Sequence, residues 1–327
     1  MRKILDQLIS QVALDKNQAR DIMLRIANEE FSDAEIAAFL TTYLMRAISV
    51  EELAGFRDAL LELAVKIDFG NVQAIDLCGT GGDGKNTFNI STLSAFVTAG
   101  ANYKVVKHGN YGVSSVSGSS NVLEHLGYQF TNNQDLLKSQ LDNNNICFLH
   151  APLFHPAMKA VGPTRRSLKV KTFFNLLGPL VNPASPSHQV VGVYNLHVAR
   201  LYQYFLQQVD RAYIVVHALD GYDEVSLTSP TKVISNYQET IINSHDFGLK
   251  NLNQSDLFGG NSVAEAGKIF TDILAGNGTK AQEDVVLANA GLAIHCFEPD
   301  RSLVDCVLQA RESLQSGAAL SILKSIT

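Results

Sequence analysis

Residues 79–84 read Gly-Thr-Gly-Gly-Asp-Gly. Four glycines in six residues exclude a regular element, but they permit positive φ and a close approach of main chain to a ligand. They follow an apolar run of strand length, Ala74-Ile75-Asp76-Leu77-Cys78, and precede Asn89-Ile90-Ser91-Thr92 and the helical spacing of Leu93, Phe96, Val97 and Ala101. Strand, glycine loop, hydroxyl residues and helix start together make an anion site, because unpaired N–H groups and the positive helix end face the loop. A second polar loop follows the next strand: Lys107-His108-Gly109-Asn110, then Ser114-Ser115 and Ser117-Gly118-Ser119-Ser120. Two such loops after successive strands point to a ligand with more than one phosphate.

Other phosphate chemistries fit less well. Gly79, Gly81 and Gly84 spell GxGxxG, yet the helix opens only near Ser91, and Lys104 stands where a dinucleotide site needs an acid. No Gly-Lys-Ser/Thr ending makes a Walker loop. Asp223-Glu224 is the best metal candidate. The pair follows a strand over 212–216 and the loop Leu219-Asp220-Gly221-Tyr222. Adjacent acids in a loop are ordinarily solvated charge, but two carboxylates at a strand's carboxyl end suit Mg2+. Arg165, in Pro163-Thr164-Arg165-Arg166, has the planar fork that holds a carboxylate bidentately. Any one of the hydroxyl residues alone would be a turn or cap residue; it is their clustering that points to a site.

These residues need a scaffold. Residues 1–68 carry apolar stripes at helical spacing: Ile4, Leu5, Leu8 and Val12, then Ile22, Leu24 and Ile26. Ser32-x-x-Glu35 and Ser49-x-x-Glu52 are capping boxes that open two further helices. So much apolar surface on short helices must pack against something else, a later part of the chain and a second subunit. From Val72 the pattern alternates. Strands are expected over 74–78, 104–107, 146–149, 190–193 and 212–216, with helices over 92–101, 121–126, 136–141 and 198–209. Alternation of this kind predicts a mostly parallel sheet flanked by helices, with ligands at the strands' carboxyl ends. A hairpin is expected over 231–243, and helices over 264–274, 281–295 and 303–310, which carry no recognisable chemistry. The stretch from His155 to Leu168 is basic and helical, with Pro163 inside it.

Composition sets the limits. The chain has 327 residues, 46% hydrophobic and 18% charged, which fits a globular enzyme of about two domains. A net charge of −6 argues against a broad cationic surface for nucleic acid. Cys78, Cys147, Cys296 and Cys306 form no CxxC pair, which fits a reduced, cytoplasmic protein with buried thiols. No histidine pattern near Cys78 would activate it as a nucleophile. Asp6, Gln7 and Asp15 interrupt any signal-peptide core. No run approaches the ~18 apolar residues of a membrane span.

The segments around Asp76-x-x-Gly79-Thr80-Gly81-Gly82-Asp83, Asn89-Ile90-Ser91-Thr92 and Lys107-His108-Gly109-Asn110 together resemble the anthranilate phosphoribosyltransferase family. So do His155-Pro156-Ala157-Met158, Arg165-Arg166, Phe174-Asn175-Leu176-Leu177-Gly178-Pro179-Leu180 and Gly221-Tyr222-Asp223-Glu224, in order over nearly the whole chain. The resemblance implies an α/β fold of the nucleoside phosphorylase/phosphoribosyltransferase type. A small helical domain over 1–70 would be rejoined by about 155–178, with an α/β domain over 71–327 and a cleft between them. It implies a tryptophan-pathway homodimer that transfers phosphoribosyl from phosphoribosyl diphosphate to anthranilate with Mg2+. Donor contacts would come from Gly79, Gly82, Asp83, Thr87, Asn89, Ile90, Ser91, Thr92, Lys107, His108, Gly109, Asn110, Tyr111, Gly112, Val113, Ser114, Ser115 and Ser119. Gly79, Asn110 and Arg165 would contact anthranilate, His108 and His155 would flank its ring, and Ser91, Asp223 and Glu224 would hold the metal.

Two positions depart from the family pattern. Tyr111 and Val116 stand where the family often has arginine and lysine. The missing cations lower donor affinity unless Lys85 or Lys104 compensates. Two other readings share parts of the pattern. A pyrimidine nucleoside phosphorylase uses similar glycine and Lys-His-Gly-Asn loops, but needs neither Asp223-Glu224 nor Arg165. A non-catalytic, nucleic-acid-binding relative would need a basic groove, against the −6 charge.

Overall fold

The computed structural model describes residues 1–112 and 117–327, which divide into two compact units. One unit comprises Met1–Ile67 and Ala151–Ser185; the other comprises Asp68–His150 and Pro186–Thr327.

The first unit is helical, with Arg2–Ile9, Lys16–Ala27, Asp33–Met45 and Val50–Glu62 from its first segment. Both capping boxes form: Ser32 with Glu35, and Ser49 with Glu52. A third, Asp15 with Gln18, opens the Lys16–Ala27 helix. The second segment completes the core of the first, which is why the unit needs two pieces of chain. Phe173 stacks on Phe56 with centroids 4.6 Å apart and meets Phe39 edge-on at 6.0 Å. Thr164 Oγ1 donates to Asp33 Oδ1 at 2.8 Å, tying the Met158–Leu168 helix to the start of Asp33–Met45. Glu52 is fully buried and accepts from Leu14 N (3.0 Å), Ser49 N (2.8 Å) and Tyr43 Oη (2.9 Å) while pairing with Arg46. Burying a carboxylate is tolerable here because both oxygens meet donors and Arg46 supplies the opposite charge.

The second unit is built on a seven-stranded sheet in the order β3-β2-β1-β4-β5-β6-β7. The strands are β1 (Ala74–Gly79), β2 (Lys104–Gly109), β3 (Ile146–His150), β4 (His188–Gly192), β5 (Ala212–Ala218), β6 (Thr231–Ser235) and β7 (Glu239–Ile242). β1 to β5 are parallel; β6 and β7 form the antiparallel edge. Strand order reverses between β1 and β4, and crevices open at the carboxyl ends of strands at such a switch point. The Ile90–Gly100 and Lys280–Phe297 helices are buried nearly all round in the core. Most sequence-expected elements shift by one to three residues at their ends. The Ala318–Ile326 helix was not expected; it begins again after Gly317, whose φ of +77° ends the preceding turn. No helix among the described residues is long and apolar enough to cross a membrane.

Candidate active site

The glycine loop leaves β1 at the switch point. Gly81, Gly82 and Gly84 take φ of +64°, +80° and +74°, which side chains rarely adopt. The chain then enters the Ile90–Gly100 helix through Asn89, whose side chain makes no cap bond but donates to Ser117 O at 3.1 Å. Ile90 and Thr92 are 1% exposed, so their side chains are not offered to a ligand, and Ile90 N already donates to Phe88 O at 2.7 Å. Thr87 is half-buried and held by a strap from far along the chain. Gly259 N donates to Asn86 O at 2.8 Å, Asn86 Nδ2 donates to Gly260 O at 2.9 Å, and Thr87 bridges Phe258. A Cβ on Gly259 would collide with the Thr87 carbonyl. A cavity of about 280 Å³ lies beside this strap, lined by Lys85, Asn86, Thr87, Tyr222, Gln254, Ser255, Leu257 and Phe258.

Asp223 and Glu224 follow β5 and reach back to the loop after β1. Gly81 N donates to Asp223 Oδ2 at 2.7 Å, and Ser91 N donates to Glu224 Oε1 at 3.1 Å. Two glycines make room for them. Gly79 and Gly192, paired in the β1–β4 register, each leave the space a Cβ would take from Asp223. Burial raises the pKa of both carboxyls; repulsion from Asp83 adds to this at Asp223, and repulsion from Asp223 adds to it at Glu224. Glu224 Oε2 is buried with no hydrogen-bond partner among the described residues. Two half-buried carboxylates and an orphaned oxygen fit a hard divalent cation, which takes oxygen ligands and relieves the repulsion. Among the described residues no cluster of three or more His, Cys, Asp or Glu could hold a metal. A pair of carboxylates is the number Mg2+ takes when water and phosphate complete its shell.

Lys107 lies beneath this floor, not beside it. The sequence suggests a point charge near phosphate, but Lys107 is 2% exposed. Its Nζ donates to the Leu77 carbonyl and lies 3.5 Å from Ser91 Oγ. Lys107 lies where the paired register of β1 and β2 has ended. The paired register of β1 and β2 covers Ala74↔Lys104 and Ile75↔Val105. Beyond it side chains serve in place of the ladder: Lys107 caps Leu77, and Asp76 Oδ1 accepts from His108 N at 3.1 Å. The Lys107 charge is also among the influences that draw the Glu224 pKa down. Lys104 cannot replace the missing loop cations. It stands at the opposite end of β2, where its Nζ donates to Leu141 O (2.9 Å) and Asp142 Oδ1 (3.3 Å). Lys85 stays near the loop, its ammonium 4.5 Å from the centre of the Tyr222 ring.

The second loop is anchored to the Ser119–His125 helix. Asn121 Oδ1 accepts from both Gly112 N and Gly118 N at 3.0 Å, and Ser119 Oγ donates to Asn110 O at 3.2 Å. Gly109 lets Ser119 approach, since a Cβ there would lie 2.7 Å from its Oγ. Tyr111 donates to Glu124 Oε1 at 2.7 Å and meets His150 edge-on at 4.7 Å. His108 is 7% exposed. Val113, Ser114, Ser115 and Val116 lie outside the described residues.

Arg165 and His155 belong to the helical unit. Arg165 is half-buried, its guanidinium 5.1 Å from the Phe174 ring centre, and burial lowers its pKa. Among the described residues no carboxylate pairs with it, while Arg166 is exposed. His155 is 3% exposed; burial lowers its pKa, against hydrogen bonding with the main chain of Val181 and Leu60.

Sequence reasoning overlooked Gly192, Gly259 and Asn289. The first two offered a weak signal, a glycine at a strand end and a Gly-Gly pair. Asn289 sits in an apolar helix and offered none.

The chain combines a helical unit with a mostly parallel α/β unit that carries a glycine loop and an acid pair at its switch point, and this make-up is that of a glycosyltransferase. Residues 71–320 match the glycosyl transferase family a/b domain, and residues 2–64 match that family's helical bundle domain. The chain is 54% identical to the anthranilate phosphoribosyltransferase of Christiangramia forsetii, over 100% of this chain and 98% of the relative. It is 52% identical to that of Cytophaga hutchinsonii, over 99% of each. The crystal structure of the Thermus thermophilus anthranilate phosphoribosyltransferase superposes with a TM-score of 0.92 at 32% identity, covering 98% of this chain and 97% of that one. The Saccharomyces cerevisiae enzyme in complex with phosphoribosyl diphosphate and Mg gives 0.91 at 27% identity, covering 98% and 95%. The chain belongs to the anthranilate phosphoribosyltransferase family.

Proposed function

We propose that this protein transfers the phosphoribosyl group of 5-phosphoribosyl 1-diphosphate to the amine of anthranilate. The products are N-(5-phosphoribosyl)anthranilate and diphosphate, in tryptophan biosynthesis. One observation carries the reading beyond family membership: the Asp223-Glu224 pair meets the glycine loop at the sheet's switch point. A nucleoside phosphorylase would have no use for that pair.

The roles follow from donor chemistry. Main-chain N–H groups within 79–83 and 89–92 that are not already donated to the acid pair or to other main chain, with Thr87, Asn110, Ser119 and the 108–115 loop, bind phosphates and ribose. Asp223, Glu224 and Ser91 are the ligands for Mg2+. Mg2+ held by these residues would supply neutralisation of the charge on the departing diphosphate. In the transfer the C1–O bond breaks with its electron pair going to diphosphate. The amine lone pair forms the C1–N bond, and the amine nitrogen then releases a proton. Arg165 holds the acceptor carboxylate in its fork, with Gly79 and Asn110 as further acceptor contacts. Orientation and charge neutralisation supply most of the rate. Lys107 acts from below, supporting Leu77 and Glu224.

The protein is read as a cytoplasmic homodimer. Ile9 (68% exposed), Val12 (54%) and Met45 (81%) on the helical unit are apolar surface that a second copy would cover. Sedimentation of a monomer at micromolar concentration would remove that part. The activity is tested by anthranilate fluorescence: consumption is expected with phosphoribosyl diphosphate and Mg2+, and none with chelator. Turnover of thymidine with phosphate, and none of anthranilate, would favour the phosphorylase reading.

A further inference from the structure

Asn289 lies in the Lys280–Phe297 helix and is 6% exposed. Its side chain grips one residue from both sides. Val225 N donates to Asn289 Oδ1 at 3.0 Å, and Asn289 Nδ2 donates to Val225 O at 2.8 Å. The second Nδ2 hydrogen goes to Val285 O at 2.9 Å, which fixes the amide on its own helix. Val225, 1% exposed, immediately follows Glu224.

We infer that Asn289 is the positioning residue for the acid pair. The inference rests on the proposed metal role of Asp223 and Glu224. Those two side chains accept from Gly81 and Ser91, but such contacts use carboxylate oxygens that a cation also needs. The Asn289 clamp holds the same segment through its main chain and leaves every carboxylate oxygen out of account. Local preference does not hold the segment, because Leu227 two residues on takes φ of +59°, a conformation unfavourable for a branched side chain. Only an amide of this length matches the need: it offers one acceptor and two donors at the spacing of a peptide group. Aspartate has no donor, glutamine is one methylene too long, and serine reaches only its own helix. Loss of the clamp leaves Val225 N–H and C=O buried without partners, so the segment shifts and the metal ligands lose their preset geometry.

The test uses the full-length enzyme and reads binding as well as rate. Asn289→Ala is expected to weaken calorimetric binding of phosphoribosyl diphosphate in the presence of Mg2+ by about tenfold or more, the usual effect of losing an outer support of a metal site. The Mg2+ concentration for half-maximal rate rises in parallel, kcat falls, and the anthranilate KM stays within about twofold. Amide exchange at Val225 speeds up. Val286→Ala, a neighbouring core truncation, serves as the stability control: it lowers Tm but keeps wild-type Mg2+ half-saturation. If Asn289→Ala does not fold, Asn289→Ser takes its place, because a helical serine keeps the bond to Val285 O. Wild-type donor binding and Mg2+ response in the Asn289 variant overturn the inference, as does an equal Mg2+ defect in Val286→Ala. Asp223→Asn with Glu224→Gln, run alongside, separates the two ideas. If that double variant keeps its Mg2+ response, the metal reading falls and the positioning role with it. If it loses the response while Asn289→Ala keeps it, only the positioning role falls.

Discussion

The Gly81 amide donates to Asp223 Oδ2 at 2.7 Å, across 142 residues of chain. The bond joins the glycine loop after β1 to the acid pair after β5, and the proposed metal site exists only because those loops meet. The strand between them, β4, ends in Gly192 and clears the path.

Asp223→Asn with Glu224→Gln should reduce turnover by at least a hundredfold at saturating Mg2+ while the fold survives. The metal-free double variant should melt no lower than wild type, because neutral amides relieve two half-buried, repelling carboxyls. Activity within tenfold of wild type would remove the metal role.

Gly192→Ala places a Cβ against the Asp223 main chain, which cannot swing aside as a flexible side chain would. A loss of about 1–3 kcal/mol in stability is expected from overpacking, with kcat down more than tenfold. Gly70→Ala is the comparison. Its φ is +67° with open space around it, so only backbone strain of about 1–2 kcal/mol applies and kcat is unchanged. Chemical unfolding and steady-state rates distinguish the two; similar kcat values for both variants would mean the Gly192 space is not needed.

Arg165→Ala should raise the anthranilate KM far more than the donor KM. Arg165→Lys should fall between, keeping the charge but not the planar fork. Equal effects on both substrates would undo the assignment.

Glu52 carries a pH dependence within the helical unit. Burial pushes its pKa up, but bonds from Arg46, Ser49 and Leu14 outweigh it and hold the carboxyl below its ordinary range. A depressed folded pKa means its stabilisation is fully present above the unfolded value of about 4.3 and is lost as pH falls through the folded value. Glu52→Gln strands the Arg46 charge and should cost about 3 kcal/mol at pH 7. The gap between wild type and variant should narrow as pH drops from about 5 to about 3. Urea unfolding at several pH values checks this, and a constant gap would refute it.

Much of this protein is legible locally. Ser32/Glu35 and Ser49/Glu52 announce their helices because a capping box closes within four residues. Gly79 to Gly84 announce a loop because positive φ is a property of single residues, and period-two and period-3.6 apolar patterns announce strands and helices. The side chains that matter most were harder to place. Lys107 reads as a phosphate cation, yet its Nζ donates to the Leu77 carbonyl, where the paired register of β1 and β2 has ended. Lys104 reads as a possible replacement for the cations missing at Tyr111 and Val116, yet strand direction puts it at the far end of β2. Gly192 and Asn289 gained their roles only when β4 came between β1 and β5 and the Lys280–Phe297 helix packed beneath Val225. Short-range preference depends on neighbours in the chain. Which amide meets which carboxylate depends on strand order and on helices closing over a common core, and those are decided by the folded molecule as a whole.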